Sequence, residues 1–166
     1  MPIEDVLAPG LRVVFCGTAL GAASARASAY YAGPGNRFWP TLHRIGLTPR
    51  RLQPAEYPQV LEFGIGLTDL CKTRFGSDLE IGNDAFDVRR LISQLERYRP
   101  SWIAFNGKKA AKVALRSKAV AFGAQEGRLG GARVFALPST SGAASGHWDI
   151  GPWQELADLL AAGAGA

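Results

Sequence analysis

Four short runs of β-branched, aromatic and aliphatic residues break off abruptly into glycine or small polar residues: Leu11–Cys16, Gly64–Cys71, Trp102–Gly107 and Arg133–Ser139. They are apolar almost throughout rather than alternating, which is how strands read when both faces of a sheet are covered. Helical patterns separate them. Asn36 can cap a helix running RFWPTLHRI to Gly46, and Thr48-Pro49 reads as a second cap with proline at the first helical position. Asp84 can cap a third, whose apolar Val88, Leu91, Ile92 and Leu95 stand at i, i+3, i+4, i+7 and which Pro100 closes. The sequence KKAAKVALR opens a helix from the end of the third run, and the last helix spans about Pro152 to Ala162. Strand and helix patterns thus alternate. They predict an α/β fold: a three-layer α/β/α sandwich around a central, mostly parallel, four-stranded sheet, with residues 1–166 forming a single domain.

A chain of 166 residues, 47% of them hydrophobic, is long enough to bury a sizeable core without a second domain. No apolar run reaches the roughly 18 residues that a membrane span requires. The opening MPIEDVLAPG is acidic where a secretory leader would be basic, so a cytoplasmic protein is expected. Cys16 and Cys71 are too few for a four-thiolate metal site, and both sit in apolar runs that suit buried free thiols. The net charge of +5 is compatible with a polyanionic partner.

The loops carry the rest of the information. Gly17 to Gly35 is a long stretch of Ala, Ser and Gly interrupted by Tyr30-Tyr31, and loops of that length in a compact domain are usually functional. A second small-residue loop, TSGAASG, follows the fourth run. Both lie at carboxyl ends of predicted strands, where open α/β sheets bind ligands, and Asp69 belongs near the same edge. GTALG is neither a dinucleotide fingerprint nor a phosphate loop, and PSTSG lacks the flanks of a nucleophile elbow. His43 falls in mid-helix and His147 after a flexible loop, so neither suits a catalytic triad.

Read together, RVVFCGTALG, YYAGPGNRFWPTLHRIGLTP and ALPSTSG resemble the motifs of the uracil-DNA glycosylase superfamily, in its mismatch-specific uracil- and thymine-DNA glycosylase branch. GIGLTDL and NGKKA also fit, in the same order along nearly the whole chain. Two customary polar residues are absent. Where the family's first motif offers Asn to position water, this chain has Ala19; where its second begins with Asn or His, it has Leu137 before Pro138 and Ser139.

The resemblance implies hydrolysis of the N-glycosidic bond of uracil, or of other deaminated or mismatched bases, in single- or double-stranded DNA, as the first step of base-excision repair. It implies a monomer that needs no cofactor and no metal. It assigns catalysis to Asp69, since in related members a carboxylate at about this place replaces the missing Asn. The other reading of Asp69 is a turn cap, or a partner of Lys72 or Arg74. Gly17, Thr18, Ala19 and Leu20 would meet the base through backbone and shape, and Tyr31 would stack on it, unless Tyr30 and Tyr31 are both packing residues. Asn36 would contact the base, brace the loop or serve only as a cap. Contact with DNA falls to Ser24, Ser139, Thr140, Ser141, Gly142, Ala143 and Lys108, with Lys109 and Lys112 nearby. Ala143 and Ala144 provide no large wedge to fill a gap in the duplex, so dependence on the opposite base should be weak. Phe38 and Trp39 read as core. The alternative to an enzyme is a non-catalytic nucleic-acid or nucleobase binding module on the same scaffold.

Overall fold

The computed structural model describes residues 3–77 and 81–163, and only the backbone of residues 143–145. Its centre is one sheet in the order β2-β1-β3-β5-β4, where β1 is Val13–Gly17, β2 Ile65–Asp69, β3 Trp102–Asn106, β4 Gly123–Leu129 and β5 Ala132–Leu137. The four predicted strands are parallel neighbours, with Gly17 opposite Asp69 and Asn106 opposite Leu137 in the register. The sheet has five strands rather than four, because β4 pairs antiparallel along the outer edge of β5. Its sequence, GAQEGRL, is polar because that edge is largely exposed, so it lacks the apolar signature of the inner strands. The turn Gly130-Gly131, with both φ angles positive, suits a two-residue hairpin.

Alternation along the inner strands splits one apolar pattern into two cores. Val13, Phe15, Ile65, Leu67, Phe135 and Leu137 face α2 (Phe38–Arg44) and the C-terminal helix α5 (Gly151–Gly163). Val14, Cys16, Ile103, Phe105, Val134 and Ala136 face α3 (Val88–Tyr98) and α4 (Lys108–Leu115). Helices on both faces of a mostly parallel sheet give the expected three layers. Cys16 and Cys71 are free and buried, and burial pushes the Cys16 thiol well above its ordinary range. No helix among the described residues is long and apolar enough to cross a membrane.

Three local expectations are corrected. The loop from Gly17 to Gly35 contains a short helix, α1 (Ala22–Ala27), consistent with the high helical propensity of alanine. Helix α3 is capped by Asp87, whose carboxylate accepts from the Arg90 N–H at 3.0 Å, whereas Asp84 is held by Arg74. Thr48 starts no helix: its hydroxyl donates to the Arg50 carbonyl, and a 3-10 helix begins only at Pro54, behind a Gln53–Glu56 capping box. The loop expected over residues 72–83 is described up to Ser77 and again from Ile81.

Candidate functional site

The carboxyl ends of β1, β3 and β5 open onto a cavity of about 610 Å³. One wall comes from the loop after β1 and from α1, with Gly17, Thr18, Ala19, Ser24, Tyr31 and Asn36; the other comes from Asn106–Ala110 and Ser139–Gly142; Gly76 and Ser77 complete the lining. Twelve of the residues singled out in the sequence therefore surround one space: Gly17, Thr18, Ala19, Ser24, Tyr31, Asn36, Lys108, Lys109, Ser139, Thr140, Ser141 and Gly142. Leu20 and Asp69 do not line it. They face a void of about 20 Å³ together with Cys71 and Lys72. The side chain of Ala143, like that of Ala144, lies outside the described atoms.

The loops are strapped to the sheet and to one another. Behind β1, the amides of Leu70 and Cys71 donate to the carbonyls of Gly17 and Thr18 at 3.0 and 2.8 Å. Ser24 is buried, and its hydroxyl accepts from the Ala32 N–H at 3.0 Å. Asn36 Oδ1 accepts from the Phe38 N–H at 3.0 Å, a turn that braces the entry to α2 from one residue before its cap, Arg37, rather than the cap expected, and Asn36 also lines the cavity. Across the space, the Arg37 N–H donates to the Thr140 carbonyl at 2.9 Å. A Cβ on Gly142 would lie 3.3 Å from the Pro34 carbonyl oxygen, so a residue without a side chain lets the two loops meet.

Tyr31 occupies the left-handed backbone region, with φ 54°. Such a conformation is uncommon for a bulky residue and persists where surrounding structure fixes it. Here its ring stacks on Phe38, centroid to centroid 3.9 Å at 24°, and Phe38 packs in turn on Phe15, Trp39 and Trp153. Tyr30 is instead packed away, 1% exposed, and Phe38 and Trp39 are core residues. The Tyr31 hydroxyl is buried with no well-formed hydrogen bond, and the Asn106 side chain is the polar group that faces it. Burial, reinforced by the Asp69 charge, keeps it protonated far above neutral pH. The cavity therefore has a rigid aromatic element in its wall, with the hydroxyl at the buried end of that ring facing Asn106.

Asp69 ends β2 beside Gly17, the last residue of β1. A Cβ placed on Gly17 would stand 3.5 Å from Asp69 Oδ1 and 3.6 Å from Tyr31 Oη. Gly17 lines the cavity, so the carboxylate stands directly behind a floor residue with no side chain. Asp69 is itself only 3% exposed. Its Oδ2 accepts from Lys72 Nζ at 3.0 Å, while Arg74 goes to Asp84. Burial raises the Asp69 pKa, against the opposing pull of the Lys72 ammonium. No Asp, Glu or His is among the described residues that line the cavity; His43 and His147 are both exposed.

Asn106 is a cavity residue to which sequence reasoning gave no role. Its amide donates to Thr140 Oγ1 at 2.9 Å and its carbonyl accepts from the Thr140 N–H at 3.0 Å, clamping the end of β3 to the loop after β5. The available signal was a lone polar residue closing the apolar run WIAFN. Beyond it, Lys108 and Lys109 line the cavity at the start of α4, each Nζ over an aromatic ring: Lys108 over Phe122 at 4.5 Å and Lys109 over Phe86 at 5.9 Å. Lys112, one turn further along the helix, is not part of the lining.

The comparison with known proteins agrees with this architecture. The family model described as the uracil DNA glycosylase superfamily matches residues 4–157. A solution NMR structure from Methanosarcina acetivorans, of a protein provisionally designated a uracil DNA glycosylase, superposes with a TM-score of 0.68 at 24% identity, covering 96% of this chain and 94% of that one.

Proposed function

Since the chain belongs to the uracil DNA glycosylase superfamily, we propose that it is a monofunctional DNA glycosylase that hydrolyses the N-glycosidic bond of uracil in DNA and so begins base-excision repair. The observation that carries this reading is the cavity at the strand ends, with Tyr31 in its wall and Asp69 behind its floor at Gly17. A base inside a duplex is out of reach of such a cavity, so the target nucleotide must leave the stack and enter it. Tyr31, backed by Phe38, offers it a flat platform. Cleavage builds positive charge on the sugar and negative charge on the departing base, and a nearby carboxylate stabilises the first, as in glycoside hydrolysis generally. In this reading Asp69 supplies that charge, and backbone amides around Thr18 to Leu20 stabilise the uracil anion. The start of α4, with its positive helix end, Lys108 and Lys109, receives the DNA backbone.

The same geometry contains one observation in favour of a binding module: Asp69 is buried and paired with Lys72, and no acid or histidine among the described residues lines the cavity. A fluorescent oligonucleotide with a single uracil, incubated with the protein and then treated with alkali, separates the two. Strand cleavage at the uracil, absent from a thymine control, supports the enzyme. Retention of the oligonucleotide with no alkali-labile site supports the binding module.

Two further results are expected. Tyr31→Ala should weaken capture of the extrahelical base by about 1–3 kcal/mol, roughly 5- to 150-fold in affinity. Tyr31→Phe should be mild, because it keeps the ring and removes a hydroxyl that makes no well-formed hydrogen bond. Binding to an oligonucleotide carrying an uncleavable 2′-fluoro-2′-deoxyuridine checks both, and equal tolerance of the two substitutions would remove Tyr31 from the site. Affinity for DNA should also fall as salt rises, because phosphate contacts release counterions. Lys108→Ala should reduce the log–log salt slope by about one, measured by fluorescence anisotropy. A slope near zero in the wild type would contradict a DNA substrate.

A further inference from the structure

Behind Asp69, on the side away from the cavity, lies a cluster of charges that the proposed chemistry does not use. The N-terminal segment joins the edge of β2 by a reciprocal backbone pair, Val6 N–H to the Leu67 carbonyl and Leu67 N–H to the Val6 carbonyl, both 2.9 Å. This sets Asp5 beside Thr68, and Thr68 Oγ1 donates to Asp5 Oδ1 at 2.7 Å. Lys72 Nζ lies 2.9 Å from the same oxygen and 3.0 Å from Asp69 Oδ2, and it also meets the Ile3 carbonyl and Tyr30 Oη at 2.8 Å each. The second oxygen of Asp5 accepts from Arg90 Nη2, on α3, and from Gln94 Nε2 at 3.3 Å. One ammonium is thus shared by two carboxylates, whose side chains are 7% and 4% exposed. Arg90 supplies the second positive charge that balances the cluster. A separate cleft of about 390 Å³, lined by Asp5, Lys72, Arg90, Gln94 and Tyr98 among others, shares no lining residue with the large cavity.

We propose that Asp5, Lys72 and Arg90 are positioning residues for Asp69: Lys72 holds Oδ2 so that Oδ1 stays against Gly17, and Arg90, by engaging Asp5, leaves the Lys72 charge to keep Asp69 ionised. This rests on the reading of Asp69 as the working carboxylate. The charged and titratable groups facing Asp69 are Lys72 from the loop after β2, Asp5 from the N-terminal segment, Tyr30 and Tyr31 from the loop before α2, and Cys16 from β1. Both tyrosines and the thiol stay protonated, because burial raises all three. Among the described residues, the charged side chains that act on Asp69 are therefore Lys72 and Asp5, and Arg90 acts through Asp5. A carboxylate that loses a neighbouring negative charge ionises at lower pH, and one that must share its cation more evenly ionises at higher pH.

The test is a carbon-13 NMR titration of aspartate-labelled free protein, with the Asp69 signal assigned by its loss in Asp69→Asn, beside the pH profile of single-turnover uracil excision. Asp5→Asn should move the Asp69 titration to lower pH and Arg90→Gln to higher pH, each by about half a unit or more. Arg90→Lys should return it toward the wild-type value. The double variant Asp5→Asn/Arg90→Gln should titrate like Asp5→Asn alone, since Arg90 then has no carboxylate to engage. The acid limb of the rate should move with the NMR signal. An Asp69 titration that Asp5→Asn and Arg90→Gln leave in place, in variants with wild-type circular dichroism, overturns the proposal. So do shifts of both variants in one direction, which a generally loosened fold would give. Shifts as expected in a protein that releases no uracil would uphold the charge relay and overturn the glycosylase reading instead.

Discussion

Trp153→Ala is expected to lower the stability of the protein by about 3–5 kcal/mol, the usual cost of removing a buried aromatic side chain. Trp153 is fully buried in α5. Its ring stacks on Phe15, centroids 5.5 Å apart at 18°, and meets Phe38 edge-on at 6.1 Å. Phe38 is the ring that supports Tyr31, so the indole underlies the aromatic wall of the cavity. Its Nε1 also donates to the Pro138 carbonyl at 2.9 Å, just before the Ser139–Gly142 wall. Alanine leaves a void in the larger core and an unpaired buried carbonyl. Trp153→Phe should fall between, keeping most of the packing and losing the donor. Urea unfolding followed by circular dichroism measures both, and a Trp153→Ala midpoint equal to that of the wild type would contradict this description of the core.

The Asp69 substitutions should act on rate rather than on fold. If the carboxylate provides the charge that stabilises the sugar, removing it should slow excision by roughly 100-fold or more. Asp69→Asn keeps the shape, so it should fall nearly as far as Asp69→Ala if charge dominates. Asn should retain clearly more activity than Ala if placement of water dominates. Stability should respond with the opposite sign. The folded-state pKa of Asp69 is raised, chiefly by burial. A raised carboxylate contributes stability that is complete below the unfolded value of about 3.9 and is lost as pH rises through the folded value. At neutral pH the ionised group therefore weighs against the fold, and Asp69→Asn should unfold no earlier than the wild type, with Lys72 keeping Asp5 as partner. By the same sign, excision should be lost on acidification through a pH above the ordinary carboxylate value.

The inner sheet was legible in the sequence because its four strands are buried on both faces, so apolar runs such as Val13–Cys16 and Trp102–Phe105 admit little else. The polar strand β4 is a different case. It is held by pairing with β5 and by the Gly130-Gly131 turn, and that dipeptide was the readable sign. The choice between Asp84 and Asp87 as cap of α3 could not be made locally, since both precede the same apolar spacing; the contact of Arg74 with Asp84 distinguishes them. At the site, loops that flank parallel strands must meet at one edge, which is why residues as distant as Thr18 and Thr140 were identifiable together. The depth of Asp69 was not identifiable. It depends on the β1–β2 register, on the bare α-carbon of Gly17 and on Lys72, whose other carboxylate partner, Asp5, lies 67 positions earlier in the chain.

Ala19 offers an independent handle on the same chemistry, because it lines the cavity that Asp69 stands behind. An asparagine there would place an amide in the cavity itself, where the family's first motif carries one, and Ala19→Asn should restore part of the rate in the Asp69→Ala background. The most direct test of the central claim is single-turnover excision of uracil from DNA by the wild type, Asp69→Asn, Asp69→Ala and Asp69→Ala/Ala19→Asn, each first shown to be folded by circular dichroism. The account predicts a loss of roughly 100-fold or more in Asp69→Ala, with partial recovery in the double variant. Rates close to the wild type in both single variants would contradict it, and would make Asp69 a buried partner of Lys72 and nothing more.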